Sequence, residues 1–437
     1  MKQIVYRLYS NPKNEKLFSW IKLISITGGA QVIVQAVGFV CGILVIRLLP
    51  TQEYALYTLA NTMLGTIILL SDGGISTGVM SMGGKVWSNK EKLGEVLITG
   101  LSIRKKFAIG SLFVSTPFLL YLLLNHGAHW ITALLIVASL VPAFYAALSD
   151  SLLEIAPKLH QNILPLQKNE VHVGIGRLVL TGLTLFVFPW TFVAILAAGI
   201  PRIYGNLKLR KISSVFADMK QPANNEIKME ILGVVKKVLP GAIYYCISGQ
   251  ITIWIISIFG NTSSIAQIGA LGRFAVVLTL LGTVISTLII PRFARLKSDP
   301  KILFKYFCFC MLVLILTCGC ILLLFKLLSA QALWILGKDY ATLNNQLILN
   351  ITGGCVGLIT GFTFTLCSSR GWLLNPFIYI SLSLISIIVG ILIFDVSTLE
   401  GVLLFNIFTS LIHAFVYLTY SFYKIYKMKK SVILHKG

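Results

Sequence analysis

Arg273 is the ionisable residue that the sequence places deepest in an apolar segment, and it is the first candidate for binding chemistry. It occurs in IAQIGALGRFAVVLTLLG, eight residues after Ile265, which at about 1.5 Å per residue puts it roughly 12 Å into a hydrocarbon core about 30 Å thick. An arginine at that depth costs at least about 2.5 kcal/mol, so it should face a cavity and a partner. A guanidinium there suits an anion, whose oxygens accept paired hydrogen bonds. The alternative is an arginine capped by carbonyls or by a polar side chain that serves only packing.

Polar side chains also recur on the faces of three other apolar segments. Gln31 and Gln35 share one face of the first segment with several glycines, and Asn61 lies on a polar face of the second. Tyr245 belongs to a polar stripe of the seventh segment, with Gln250 nearby. Such stripes indicate a protein-lined or water-lined interior, although the stripe of the seventh segment is also typical of a helix-packing surface.

Arg47 lies at the outer end of the first segment, where positive charge is unusual. It either binds the ligand of the site or extends its side chain to the membrane surface and pairs with Glu53. The two interpretations stay open.

Several kinds of chemistry have no support in the sequence. No acid lies deep in a predicted span, whereas a carrier of organic cations and a carboxylate proton relay both need one. There is no GxxxxGK[ST] and no HExxH motif. The eight cysteines occur in apolar segments without neighbouring histidines, which favours a filler role. We therefore predict a protein that is not an enzyme and has no cofactor and no metal.

Composition explains which elements must position these residues. Of the 437 residues 56% are hydrophobic and 12% are charged, about half the charged fraction of a soluble domain. Segments of about 20 apolar residues are long enough to cross a bilayer as helices. Twelve are predicted, at about 23–46, 54–72, 107–124, 130–149, 173–189, 190–206, 238–259, 265–290, 304–325, 345–367, 374–394 and 400–423.

The basic residues between these segments predict the topology. If the N-terminus is inside, the inner stretches carry 33 Lys and Arg residues and the outer ones only Arg47, Lys326 and Lys338. This asymmetry predicts that both termini are cytoplasmic. The net charge of +22 is thereby explained by topology, and we expect no nucleic-acid partner.

A polar stretch divides the twelve segments into two sets of six. Residues 207–237 are polar and contain Pro222-Ala223-Asn224-Asn225. We predict an all-α polytopic membrane protein with twelve transmembrane helices in two six-helix lobes around a central cavity. Residues 1–206 form the N-terminal lobe, 207–237 a cytoplasmic linker, and 238–437 the C-terminal lobe with a basic cytoplasmic tail. In this layout Gln31 and Gln35 belong to a cavity wall opposite Arg273.

The end of the first apolar segment and the second segment contain a distinctive pattern, which is Arg47-Leu48-Leu49, Pro50, Glu53-Tyr54-Ala55-Leu56-Tyr57 and Asp72-Gly73-Gly74. In this pattern the chain resembles the polysaccharide-biosynthesis or O-antigen repeat-unit flippases of the multidrug/oligosaccharidyl-lipid/polysaccharide exporter superfamily, and this is the most specific match. Ala55 stands where the family more often has Gly. The resemblance covers the whole chain, because later segments of that family are similar to QIGALGRF, IIPRFARL and LWILGKDYATLNNQLILN.

The resemblance implies a function. Members flip a polyprenyl-diphosphate-linked oligosaccharide from the inner to the outer leaflet by alternating access, and basic residues of the cavity hold the diphosphate. This implies Arg273 as the central anion contact, Arg47 as a second candidate, and Gln and Tyr side chains as sugar contacts. The expected partners are the lipid-linked glycan, the bilayer and other glycan-assembly proteins, and the expected location is a bacterial inner membrane. The alternatives are a cation-coupled drug exporter of the same superfamily and a membrane glycan polymerase.

Overall fold

The computed structural model describes residues 12–296, 299–370, 372 and 374–434, and these residues form helices and connecting turns without any strand. Two turns of 3-10 helix, at Gly272–Phe274 and Lys338–Tyr340, interrupt the α-helical pattern. In chain order the α-helices are α1 (Pro12–Leu48), α2 (Thr51–Asp72), α3 (Ile75–Val86), α4 (Lys90–Asn125), α5 (Trp130–Leu153), α6 (Ile155–Leu159), α7 (Leu164–Val187), α8 (Thr191–Ser214), α9 (Asn225–Ser248), α10 (Ile251–Phe259), α11 (Thr262–Leu271), α12 (Ala275–Leu288), α13 (Ile290–Arg295), α14 (Pro300–Leu327), α15 (Ser329–Leu336), α16 (Asn344–Ser369), α17 (Pro376–Ile393) and α18 (Leu399–Leu434).

The helices confirm the predicted all-α polytopic fold. Among the described residues, 11 helical stretches are long and apolar enough to cross a membrane, and Phe377–Ile393 is an apolar helical stretch shorter than these. Each overlaps one of the twelve predicted segments. One prediction of detail was wrong. The seventh segment is not one helix, because it is split between α9 and α10. Within 207–237 only residues 215–224 separate α8 from α9, so much of that stretch is helical.

Local sequence explains the two helix ends that matter most for the sites below. Pro50 cannot continue α1, and α2 starts directly after it, with the Tyr54 amide donating to the Pro50 carbonyl at 2.8 Å. Gly73 and Gly74 have φ of +47° and +94°, a left-handed conformation that ends α2 and suits glycine. The Asp72 carboxylate then accepts from the Gly74 and Ser76 amides, both at 3.3 Å, and so caps α3.

The chain forms two compact units. The first contains residues 1–48, 63–124 and 129–246. Its core is an apolar cluster of fully buried side chains from α3, α4, α6 and α9, among them Ile75, Leu97, Ile155 and Ile231.

The second unit contains residues 49–62, 125–128 and 247–437. Within it α16 packs against α18 and α14. It includes the first three turns of α2, whose apolar and aromatic residues from Tyr54 to Ala60 are all buried. The lobe boundaries derived from the sequence stay a prediction.

Candidate functional site

Arg273 lies at a break in the apolar helical stretch Thr262–Thr283. Asn261 caps α11 by accepting from the Ser264 amide at 2.7 Å. The helix ends at Leu271, and Arg273 is the centre of the 3-10 turn before α12. The Leu271 carbonyl accepts from the Asn350 side-chain amide at 3.1 Å, which satisfies a carbonyl next to the break. Short 3-10 interruptions inside a helix often mark functional positions.

Two tyrosine hydroxyls surround the Arg273 guanidinium. Its Nε donates to the Tyr54 Oη at 3.4 Å, and Tyr57 adds a second electrostatic contact. The two rings are stacked, with centroids 6.0 Å apart and planes at 21°. Both tyrosines are almost fully buried, at 0% and 2% exposure, so the packing of α2 fixes the positions of their hydroxyls.

The described residues give Arg273 no carboxylate partner, since none of their salt bridges includes it. A buried guanidinium normally needs an opposite charge or a full set of acceptors. Here its charge is met by two neutral hydroxyls, each a single oxygen, while the group offers five N–H donors. The arrangement is therefore suited to an incoming anion.

Tyr54 and Tyr57 around Arg273 form what we call the tyrosine cradle. A close contact between two helices stabilises it. One helical turn before Arg273, Gly269 packs against Thr58 of α2, and a Cβ added there would come within 2.7 Å of the Thr58 Cγ2. Only glycine allows α11 to approach α2 so closely. The approach brings Arg273 within reach of Tyr54.

A third buried tyrosine, Tyr340, lies near Tyr54 in the second unit. Tyr340 is buried, at 3% exposure, on the turn Lys338–Tyr340. Burial, followed by the nearby Tyr54 and Asp339, raises the pKa of the Tyr340 hydroxyl, so it stays protonated at neutral pH. Asp339 accepts from the Thr51 hydroxyl at 2.9 Å, which ties this turn to the start of α2.

Replacing Tyr54 with Phe tests the cradle directly. The change removes the acceptor of the Arg273 Nε while keeping the ring, so we expect the free energy of unfolding to fall by about 1 kcal/mol. Thermal unfolding of the purified protein in detergent measures the difference. Tyr145→Phe is the matched control, because Tyr145 is 56% exposed and should change little. Equal stability of the Tyr54 variant and the wild type would contradict the assignment.

The other predicted site residues lie in several places. Gln31 and half-buried Gln35 are on α1, and Arg47 is exposed at its end. Asn61 is exposed on α2, and Gln250 is half-buried just before α10, where its carbonyl accepts from the Trp254 amide at 3.0 Å. Tyr245 is a residue of α9 whose side chain lies outside the described part of the structure. Within the first unit none of the predicted residues contacts another through a described hydrogen bond, so their common cavity remains a prediction.

Gln31 does have a polar partner that the sequence did not indicate. Its amide donates to the Glu170 carboxylate at 3.0 Å and to the Gln167 side chain at 3.4 Å. Glu170 is near the start of α7. The predicted fifth segment begins only at residue 173, so hydropathy placed this acid outside the helix.

A buried ion pair in the first unit was missed for the same reason. Arg104, at 2% exposure, pairs with Asp72 at 3.3 Å and makes hydrogen bonds with Ser76 and Ser151. The third apolar segment was predicted from residue 107, but α4 starts at Lys90. Arg104 was consequently counted as a residue of an inner loop.

A second polar cluster lies on α5 and α8. Asp150 accepts from the Arg202 Nε at 3.1 Å and from the Asn206 amide at 2.6 Å. Asn206 in turn accepts from the Arg210 Nε at 3.2 Å. Asp150, Arg202 and Asn206 stabilise the packing of two long helices, and the Asp150 carboxylate is paired with Arg202, so we assign these three residues a structural role.

The sequence patterns did not predict the tyrosine cradle as a site, although they include both tyrosines. Tyr54 belongs to the family motif, and Tyr57 belongs both to that motif and to the polar face of the second segment that includes Asn61. Their spacing of three residues predicts a shared helix face. Nothing in the sequence indicates that Arg273, more than 200 residues later, meets that face.

No protein-family model and no curated protein matches the chain. Solved structures do. The inward-facing conformation of a multidrug resistance MATE family transporter of the MOP superfamily superposes with a TM-score of 0.71 at 14% identity, covering 91% of this chain and 96% of that chain. This chain shares the fold of that transporter. The fold and the apolar helices make it a multi-pass membrane protein.

Two further solved structures with a similar fold have different descriptions. The lipid II flippase MurJ, in an inward closed conformation, superposes with a TM-score of 0.69 at 15% identity, covering 91% of this chain and 88% of that chain. A MOP superfamily transporter from Pyrococcus furiosus has a TM-score of 0.61 at 14% identity, covering 97% and 98%. Its binding pocket is described as having reverse polarity that suggests a different function. At these identities the likeness concerns the fold alone.

Proposed function

We propose that this protein is a flippase that moves a polyprenyl-diphosphate-linked oligosaccharide from the inner to the outer leaflet of a bacterial plasma membrane by alternating access. The cargo is an O-antigen or exopolysaccharide repeat unit. The observation that carries the proposal is Arg273, a cation inside a membrane helix that contacts tyrosine hydroxyls and, among the described residues, no carboxylate. Its charge is available to a diphosphate. The fold supports the proposal, because one MOP-type neighbour is by its name a lipid II flippase.

The roles of the residues follow from their chemistry. Arg273 donates to the phosphate oxygens, which a guanidinium binds in pairs, and Tyr54 and Tyr57 hold it in place. Amide and phenol groups form hydrogen bonds with sugar hydroxyls, and this role is proposed for the remaining polar residues of the predicted site, which are Gln31, Gln35, Asn61, Tyr245 and Gln250. Arg47 is proposed as a second cation that contacts the anionic part of the substrate.

The orientation is proposed from the charge asymmetry of the sequence. Both termini are cytoplasmic in this proposal, and the basic ends of the helices face the anionic inner leaflet. The glycan is then loaded from the side on which it is built, next to the enzymes that assemble it. Those enzymes are the protein partners we propose.

Deleting the gene in the source bacterium tests the proposed function. We expect loss of the surface polysaccharide and accumulation of its lipid-linked precursor, both measured by gel and mass spectrometry of extracted lipids. A plasmid copy should restore the polysaccharide, as should the Lys326→Ala variant, which removes an exposed charge of the second unit. Normal surface polysaccharide in the deletion strain would contradict the proposal.

A cation-coupled drug exporter is the second candidate, and one observation favours it. The Gln31–Glu170 pair places a half-buried carboxylate on a membrane helix, where the sequence had suggested none. Such a group can bind an organic cation or a proton. The same deletion strain discriminates, because increased susceptibility to cationic drugs with unchanged surface polysaccharide would favour export.

A further inference from the structure

A large cavity of the first unit, whose lining does not include Arg273, has walls of two distinct kinds. It has a volume of about 1010 Å³ and is bounded by residues of α4, α5 and α8. Most of its wall is apolar, including Ile109 and Leu112 of α4 and Val141, Phe144 and Leu148 of α5. Ile109 and Val141 are more than half exposed, so the cavity is open along the outside of the helices.

One end of this cavity is basic. Arg104, Lys105 and Lys106 come from α4, and Arg210 and Lys211 come from α8. No Asp or Glu is among its lining residues. Five cations on an otherwise apolar groove give it a strong preference for an anion joined to apolar chains.

Helix geometry puts these five cations at one depth. Lys105 precedes the outer end of α4, Asn125, by 20 residues, and Arg210 follows the outer start of α8, Thr191, by 19. At 1.5 Å per residue both distances are about 30 Å, the thickness of the hydrocarbon core. In the orientation that the charge asymmetry predicts, the basic end lies at the inner headgroup layer and the apolar wall lies beside the acyl chains.

Arg104 contributes a buried guanidinium to the basic end of the cavity. It is 2% exposed, its Nη1 faces Asp72 and Ser151, and its Nε is buried without a hydrogen-bond partner. A buried donor without an acceptor is costly. Beside it, the exposed Lys105, Lys106 and Lys211 provide further hydrogen-bond donors and positive charge at the same end of the cavity.

We propose that this cavity binds an anionic glycerophospholipid of the inner leaflet, with its phosphate at the five basic side chains and its acyl chains along the apolar wall. The site is formed by other residues than the one at Arg273 and does not depend on which substrate is transported. A free anion would use only the basic end, whereas the apolar wall continues for several helical turns. Basic pockets between membrane helices on the cytoplasmic side bind such headgroups.

The test compares lipids on the purified full-length protein in a neutral detergent. Phosphatidylglycerol should raise the unfolding temperature and appear as bound lipid by native mass spectrometry, and phosphatidylcholine at the same concentration should do neither. The combined variant Lys105→Gln, Lys106→Gln, Lys211→Gln should bind phosphatidylglycerol at least tenfold more weakly. Lys92→Gln, Lys236→Gln, Lys237→Gln is the matched control, because it removes three exposed lysines of the same unit that do not line the cavity, and it should bind normally.

Two further arms identify the occupant. Leu148→Trp fills the apolar wall without changing any charge, and it should weaken phosphatidylglycerol binding as well. Inorganic phosphate should not reproduce the stabilisation. Stabilisation by phosphate alone, equal loss in the control variant, unchanged binding in the lysine or Leu148 variant, or stronger binding of polyprenyl phosphate than of phosphatidylglycerol would each overturn the proposal.

Discussion

Replacing Arg273 with Ala is expected to abolish transport of the lipid-linked glycan while the protein remains folded in the membrane. The variant removes the one cation that the tyrosine cradle holds, and with it the charge-assisted hydrogen bonds to a diphosphate, each contributing about 1.5–3 kcal/mol. Loss of two such bonds weakens binding by about two orders of magnitude or more. Surface polysaccharide in the complemented deletion strain is the measurement, with membrane abundance of the variant measured in parallel.

Two comparisons make this result specific. Arg273→Lys keeps the charge but not the paired geometry of the guanidinium, so we expect partial activity. Lys326→Ala removes a charge of the same unit and should be fully active. Normal surface polysaccharide with the Arg273→Ala variant would exclude Arg273 as the anion contact, even if the deletion strain itself lacks polysaccharide.

Replacing Arg104 with Ala is expected to have the largest effect on stability. Arg104 is buried and pairs with Asp72, which also caps α3 through the Gly74 and Ser76 amides. Removing one member of a buried ion pair typically costs about 3–5 kcal/mol, because the other charge stays behind. Asp72 is 26% exposed and partly solvated, so we expect a loss near about 3 kcal/mol. Thermal or denaturant unfolding in detergent measures it.

The double variant Arg104→Met, Asp72→Asn provides the control for this prediction. It removes both charges, keeps a cap acceptor at residue 72, and should recover much of the stability lost by Arg104→Ala. Arg210→Ala removes an exposed arginine of the same unit and should cost much less. If Arg104→Ala were as stable as the wild type, the ion pair would have no part in holding α2, α3 and α4 together.

The sequence by itself determined the class of the protein and the number of its apolar helices. Hydropathy finds a membrane span because about 20 apolar residues suffice to cross the hydrocarbon core, a property of the segment alone. The twelve predicted segments therefore each overlap an apolar helix. The two ends of α2 likewise follow from Pro50 and Gly73-Gly74, because the backbone conformations that proline excludes and glycine permits are local properties of those residues.

Tertiary structure decided where the helices end and which polar side chains meet. Arg104 and Glu170 lie on helices that continue past their apolar segments, and a hydropathy window cannot follow a helix into a polar stretch. Arg273 was recognised from its depth, but its partners Tyr54 and Tyr57 come from a distant part of the chain. Contacts of that kind depend on the close approach of α11 and α2 at Gly269. Such an approach is a property of packing between helices and has no signal in the periodicity of either one.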